Sequence, residues 1–342
     1  MTRVAMTLAV SLAGVAGFRA LGLPLPWLLG PMAACLVAAL AGAPLRAPPA
    51  ASAVMRTILG VAVGTAVTPE LLDRLPAMGY SVALIPLFIV TNVAIGVPYF
   101  RRVCGFDTPT AWFSAMPGGF QDVVVLGEAA GGDPRALSLV HATRVLAIVA
   151  VMPALLAFVW GRPLDGPAGA PAADVPTPEI ALMLACAGLG WWLALKVRLF
   201  GASILGPMIL AAAASLAGLL HHRPPAEAIL AAQFFIGLGI GARYRGVTLA
   251  EVRSIVLAGA GFCAILTIIS AGFAEAVVQL GLAEPVEAFL AFAPGGQGEM
   301  VVLAIVAGAD VAFVVTHHLV RLTVVILSAP LVARLARRRT GA

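Results

Sequence analysis

Apolar residues in this chain gather into long runs separated by short polar connections, and the runs come in two sets. The first set covers residues 4–22, 27–42, 52–68, 76–99, 109–131 and 135–160; the second covers 179–195, 203–220, 226–242, 252–282, 287–308 and 310–333. A membrane crossing needs about 20 mostly apolar residues, so most of these runs read as transmembrane helices. One run in each set is interrupted by Pro-Gly-Gly, at Pro117, Gly118 and Gly119 and again at Pro294, Gly295 and Gly296. The stretch 161–178, rich in Pro, Gly and Ala, reads as the linker between the sets.

The two sets read as copies of one another. The stretch from Pro117 aligns without a gap on the stretch from Pro294. It pairs Asp122 with Glu299, Asp133 with Asp310, His141 with His318, Arg144 with Arg321 and Pro153 with Pro330. Upstream, Leu29-Gly30-Pro31-Met32 matches Leu205-Gly206-Pro207-Met208, and Gly60 and Gly64 match Gly237 and Gly241. Because the duplication reaches the first apolar run, that run is expected to be a retained helix and not a cleaved signal. The expected organisation is a first membrane repeat at 1–160, the linker 161–178, a second membrane repeat at 179–336 and a basic cytoplasmic tail at 337–342.

Composition narrows the class. With 61% hydrophobic and 11% charged residues and a mean hydropathy of +1.03, the chain is no soluble globular domain, where about 25% of residues are charged. The net charge of +5 does not point to nucleic acid, because the basic residues sit between apolar runs, where they set membrane orientation. If each Pro-Gly-Gly run dips in and returns on one side, there are ten crossings. Arg101, Arg102, Lys196, Arg198, Arg243, Arg245, Arg253 and the terminal arginines 337–339 then share the cytoplasmic side with both termini. If each run crosses, there are twelve spans and the charge bias largely disappears, so the re-entrant reading is preferred. Five crossings per copy is an odd number, which turns the second copy upside down. The expected fold is an all-α integral membrane protein of about ten transmembrane helices in two inverted five-helix repeats, each with a Pro-Gly-Gly re-entrant or broken hairpin. That architecture recurs among secondary transporters.

The broken runs carry the candidate chemistry. Proline lacks an amide hydrogen and glycine frees the backbone, so Pro-Gly-Gly ends one half-helix and begins another. Backbone groups freed there are tolerated in a membrane only beside protein or a water-filled cavity. A half-helix starting at such a break turns a partly positive N-terminus toward that cavity, which suits an anion; the alternative is a turn that only packs two short helices. Asp122 and Glu299 fall in the first turn after each break, as helix caps or as groups that couple to a proton or a sodium ion. Arg144 and Arg321 each follow a histidine, His141 and His318, by three residues and so share its helix face. A guanidinium in the membrane interior needs a partner: Asp122, Glu299 or a substrate carboxylate. His317 stands where the first copy has Val140 and is a candidate for a proton pathway. Asp133 before Pro134 reads as a helix cap, with Asp310 in the matching place. Asn92, Glu128 and Glu275 are buried polar candidates. The Gly-x-x-x-Gly pairs at 60/64 and 237/241 permit close helix packing, within one chain or across a homodimer. Cys35, Cys104, Cys186 and Cys263 and the five histidines form no ligand spacing, so no metal and no cofactor is assigned.

The runs APGGQGEM at 293–300, AGAD at 307–310 and THHLVR at 316–321, with MPGGFQDV at 116–123, are similar to the bacterial AbrB membrane-protein duplication family over nearly the whole chain. The resemblance implies a bacterial inner-membrane protein linked to control of gene expression. Some members carry an ammonia monooxygenase label, which requires a metal centre that these residue spacings do not offer. The copies differ after the glycines, Phe120-Gln121-Asp122-Val123 against Gln297-Gly298-Glu299-Met300, so their sites are not expected to be equal. The functional expectation is a secondary transporter, not an enzyme, for a small anionic metabolite. Pro117, Gly118, Gly119, Arg144, Pro294, Gly295, Gly296 and Arg321 would bind the substrate, and Asp122, Glu299, His141, His317 and His318 would couple it to protons or sodium. The alternative is a membrane sensor or regulator acting on gene expression indirectly.

Overall fold

In the computed structural model every element is helical, and no strand occurs among the described residues. The description covers residues 2–48, 50–161, 169–199 and 202–338, without the side chains of residues 52, 70–75, 77, 120–122, 125 and 329–338. The helices in the first half are α1 (Arg3–Ala20), α2 (Pro26–Leu40), α3 (Ala51–Gly64), α4 (Pro69–Val82), α5 (Ile85–Val103), α6 (Thr108–Ala115), α7 (Phe120–Ala129) and α8 (Pro134–Trp160). Those in the second are α9 (Thr177–Lys196), α10 (Ala202–Leu216), α11 (Ala226–Gly241), α12 (Leu249–Glu251), α13 (Leu257–Gln279), α14 (Pro285–Phe292), α15 (Gln297–Val306) and α16 (Val311–Arg338). A π-helical turn at Val252–Val256 joins α12 to α13.

Seven stretches of the described residues are long and apolar enough to cross a membrane: Arg3–Ala20, Met78–Val103, Pro134–Trp160, Thr177–Lys196, Ala226–Tyr244, Leu249–Gln279 and Val311–Ser328. Phe158 is 90% exposed and Ile268 72%, which suits a surface immersed in lipid and not in water. Other apolar helices are shorter: α2 and α10 have 15 residues and α3 has 14. At 1.5 Å per residue such a helix reaches about 22 Å, less than the roughly 30 Å of a hydrocarbon core. The run 76–99, read from sequence as one segment, falls across α4 and α5, with a tight turn at Ala83 and Leu84. Pro86, near the start of α5, cannot supply the amide that would carry α4 onward. Residues 162–168 of the expected linker and residues 339–342 of the expected tail lie outside the described residues.

The chain divides into two compact units, each drawing on both halves of the sequence. One comprises Met1–Pro76, Leu155–Arg245 and Val301–Ala312; the other comprises Ala77–Ala154, Gly246–Met300 and Phe313–Ala342.

In the first unit the neighbours run α1, α2, α11, α3, α10, α9. Exchanging α1 with α9, α2 with α10 and α3 with α11 reproduces that order in reverse. The glycines repeat the pattern. Gly14 lies against the backbone of Gly30, and Gly190 against that of Gly206; Gly64 meets the carbonyl of Met208, and Gly241 that of Met32. A methyl group at any of these positions would overlap a facing backbone, so the absence of a side chain lets the helices touch. Both Gly-x-x-x-Gly pairs thus make their close contacts inside the chain.

In the second unit α5 packs on α6 and α13, and α13 packs on α14. Val97, Phe100, Ala111, Ala115, Val140, Phe262 and Leu266 form one buried cluster. Phe88 meets Phe273 and Phe292 edge-on, with ring centroids 5.3 and 5.4 Å away. These contacts hold α6 and α14, the leading halves of the two interrupted helices, against long helices.

Candidate functional site at the two helix breaks

The first break begins where α6 ends at Ala115. Asp107 starts that helix by accepting the Thr110 amide at its Oδ1, 2.8 Å away. Met116 is extended, and Gly119 caps α7 without a side-chain hydrogen bond. The second break has the same construction: α14 ends at Phe292, Ala293 is extended, and α15 begins at Gln297. Pro117, Gly118, Pro294 and Gly295 are all buried.

Each break frees particular carbonyls, and each is answered by the following long helix. In an uninterrupted helix the amide of residue 117 would bond to the carbonyl of Phe113, and that of 294 to Leu290. Proline has no such hydrogen. His141 Nε2 instead lies 3.0 Å from the Phe113 carbonyl, and His318 Nε2 lies 2.9 Å from that of Leu290. Because a carbonyl only accepts, Nε2 carries the proton in both rings. One turn further along the same face, Arg144 donates from Nη1 to Met116 O at 3.0 Å and from Nη2 to Gly118 O at 2.7 Å. Arg321 donates from Nη1 to Ala293 O at 2.8 Å and from Nη2 to Gly295 O at 3.2 Å. All four donor side chains are at most 5% exposed. The His-x-x-Arg pattern and the Pro-Gly-Gly pattern are therefore one device, in which α8 and α16 close the carbonyls that the breaks leave open.

Sequence reasoning sought the partners of these arginines among Asp122, Glu299 and an anion. Their hydrogen bonds in the structure go to backbone carbonyls. Glu299 and Arg321 both lie within electrostatic reach of Arg144, and Gly118 of the first break lies against Val325 of α16, one turn beyond Arg321, so the first break packs beside the helix that clasps the second. The Glu299 carboxylate lies over Gly296, at the start of its half-helix, the place of a first-turn cap. The side chain of Asp122 lies outside the described residues.

His317 makes a separate network. Its Nδ1 donates to Phe313 O at 2.8 Å, and its Nε2 lies 2.9 Å from the hydroxyl of Ser81. Ser81 Oγ also lies 2.9 Å from Met78 O. When the imidazole is neutral the hydroxyl donates to Nε2; when it is protonated Nε2 donates to the hydroxyl, which turns its own hydrogen to Met78 O. Both protonation states keep their hydrogen bonds.

Asp133 caps α8, its Oδ1 accepting the Arg135 amide at 2.8 Å. Of the polar positions read as buried, Glu128 and Glu275 are exposed and only Asn92 is enclosed. Side chains at helix ends are free to turn outward, which apolar flanking sequence does not reveal. Sequence reasoning missed Ser114, a buried hydroxyl in the last turn before the first break. Its neighbourhood to Pro117 was the available signal.

The family described as "Transition state regulatory protein AbrB" matches this chain over residues 27–337. The Bacillus subtilis (strain 168) protein named "Uncharacterized protein YhjN" is 26% identical over 362 aligned positions, covering 98% of this chain and 93% of that protein. The Escherichia coli (strain K12) protein named "Putative regulator AbrB" is 26% identical over 321 positions, covering 93% of this chain and 92% of its own length.

Proposed function

The chain belongs to the AbrB family, and from that premise we propose that it is a secondary transporter of a small anionic metabolite, coupled to protons or sodium, with its site between the two Pro-Gly-Gly breaks. The observation that carries this reading is a pair of interrupted helices, each clasped by a buried arginine and histidine, whose guanidiniums feel each other. Two like charges held together inside an apolar helical protein create a positive potential that an anion offsets. Each arginine also orders the carbonyls of a break.

The finer topology belongs to the same proposal: about ten crossings in two inverted repeats, in a bacterial inner membrane, with both termini cytoplasmic. It is supported by the reversed helix order of the first unit and by hydrogen bonds at the second break that match those at the first, residue for residue. The Ser81 hydroxyl supports proton coupling at His317, since either protonation state is accommodated there. No enzymatic step is proposed.

The test is uptake of labelled small carboxylates into proteoliposomes under an imposed proton or sodium gradient. Uptake that collapses when the gradient is dissipated supports coupled transport; binding without flux supports the second reading, a ligand sensor, which the family's description and the name of the Escherichia coli relative favour. Sidedness is read by labelling cysteines introduced in the loops. Burial pushes the Cys104 thiol up to about 11, so at neutral pH it is protonated and slow to react, which keeps its background low.

A further inference from the structure

The two breaks are alike in their clasps and unlike in what they leave unsatisfied. Among the described residues, the buried side-chain atoms without a hydrogen-bond partner are both amide atoms of Asn92, Trp112 Nε1, Ser114 Oγ, His141 Nδ1, Arg144 Nε and Gln297 Nε2. Four of these residues, Trp112, Ser114, His141 and Arg144, lie at the first break, and Gln297 at the second. Ser114 and Trp112 belong to α6, and His141 and Arg144 are the residues that clasp it.

Asn92 is placed near both by the packing of α5. Phe88, Asn92 and Gly96 recur at four-residue spacing and share one face. Phe88 meets Phe292 edge-on, next to the second break. Gly96 lies so close to Ala115, next to the first break, that an added Cβ would sit 2.6 Å from the Ala115 Cβ. Asn92 therefore stands between the two breaks, 0% exposed, with its carboxamide unbonded. At the spacing that pairs Gly60 with Gly237 and Pro117 with Pro294, Asn92 falls on Ile269 of α13; the adjacent Ser270 donates its hydroxyl to Phe292 O at 2.9 Å. His318 Nδ1 accepts from Arg321 Nη2 at 2.9 Å, whereas His141 Nδ1 has no partner. Gln297 Nε2 apart, the second break closes its described polar groups within the chain, and the first leaves more of them open.

Buried polar groups in native proteins are bonded with few exceptions, and a cluster of exceptions calls for partners such as water, an ion or a ligand. We propose that the first break is the ligand-binding half of the site, and that Asn92, Ser114, His141 and Arg144 bind a small carboxylate carrying an adjacent hydroxyl or ammonium group. This deepens the transport reading and rests on it. The donor count sets the class: Arg144 Nε, the Asn92 amide nitrogen and the Ser114 hydroxyl offer hydrogens to a carboxylate. Asn92 Oδ1 can only accept, and so can His141 Nδ1 in the neutral ring that donates from Nε2, so a bare carboxylate leaves them unmet. The three hydrogens of a 2-ammonium group can meet both acceptors, and the single hydrogen of a 2-hydroxyl meets one of them.

The experiment is a thermal-shift titration of the full-length protein in detergent with lactate, malate, alanine, serine and propionate. Asn92→Leu and Ser114→Ala are run beside the wild type. Leucine matches asparagine in volume, so this variant is expected to fold, and Ser114→Ala is a second, milder probe. The expected result is a melting shift with a hydroxy or amino acid, none with propionate, and a dissociation constant at least tenfold weaker in both variants. An equal shift with propionate overturns the ligand class. A shift kept by Asn92→Leu but lost by Ser270→Ala overturns the assignment to the first break, and so does a folded wild type that responds to none of the five. Binding as expected without flux in vesicles defeats the transport reading and leaves this site standing. Coupled flux of another anion, unchanged in Asn92→Leu, does the reverse.

Discussion

The two helix breaks share their covalent plan and their clasps, yet they differ in closure. At the second, Arg321 reaches two carbonyls and also His318, and Ser270 holds the carbonyl of Phe292. At the first, Arg144 reaches two carbonyls and leaves Nε open, and Asn92 bonds to nothing in the chain. The glycine crossings of the other compact unit show no such divergence, since each contact has its counterpart in the other copy. Duplicated packing has stayed symmetric where it only joins helices. It has become asymmetric at the one place where polar groups are buried beside interrupted backbone.

The sharpest way to break this comparison is to remove each arginine in turn. Arg321→Ala orphans two carbonyls and the acceptor nitrogen of His318, whereas Arg144→Ala orphans two carbonyls. At about 1–3 kcal/mol for each buried group left unsatisfied, both variants lose several kcal/mol, and Arg321→Ala is expected to lose more. The fraction recovered as monodisperse protein after detergent extraction, with its melting temperature, measures the difference. Equal loss would mean that the extra bond to His318 contributes nothing.

Next in size are the glycine crossings. Gly64→Leu and Gly241→Leu each force a side chain into the backbone of a facing helix, Met208 for one and Met32 for the other. Overpacking of this kind costs about 1–3 kcal/mol or more. Because the contacts correspond, the two melting temperatures should fall together. A fall in only one would show that symmetric geometry does not carry symmetric energy.

How far all this was legible in the sequence depends on the range of each interaction. The breaks were plain, because Pro-Gly-Gly acts locally. The His-x-x-Arg face was plain too, from its spacing. Its backbone acceptors were not foreseen, because a charged group suggests a charged partner, while a proline four residues beyond Phe113 or Leu290 leaves a carbonyl without its donor. That arithmetic was available. The surroundings of Asn92 were not, since its position between the breaks comes from Phe88 meeting Phe292 and Gly96 meeting Ala115, contacts fixed by tertiary packing. The short helices α2, α3 and α10 sat inside apolar runs whose composition does not mark where a helix stops.

A finer comparison sets the histidines against each other. His318→Phe removes the donor to Leu290 O and the acceptor for Arg321, while His141→Phe removes only the donor to Phe113 O. Each neutral hydrogen bond contributes about 1 kcal/mol and bonds to charged groups somewhat more. His318→Phe is therefore expected to melt lower than His141→Phe by a few degrees, and the reverse order would undo the view that the second break is the more closed.

The smallest effects separate the breaks by sign. Ser270→Ala deletes a hydroxyl that serves the carbonyl of Phe292, so it should lower stability by about 1 kcal/mol. Asn92→Leu replaces a buried carboxamide that bonds to nothing in the chain with an apolar group of similar volume, so without ligand it should raise stability by about 1–3 kcal/mol. Both are read from melting curves of the same preparation in ligand-free buffer. Opposite signs at the two positions distinguish a group kept for the fold from one kept despite it; a loss in both variants would place Asn92 among the groups that hold the break together.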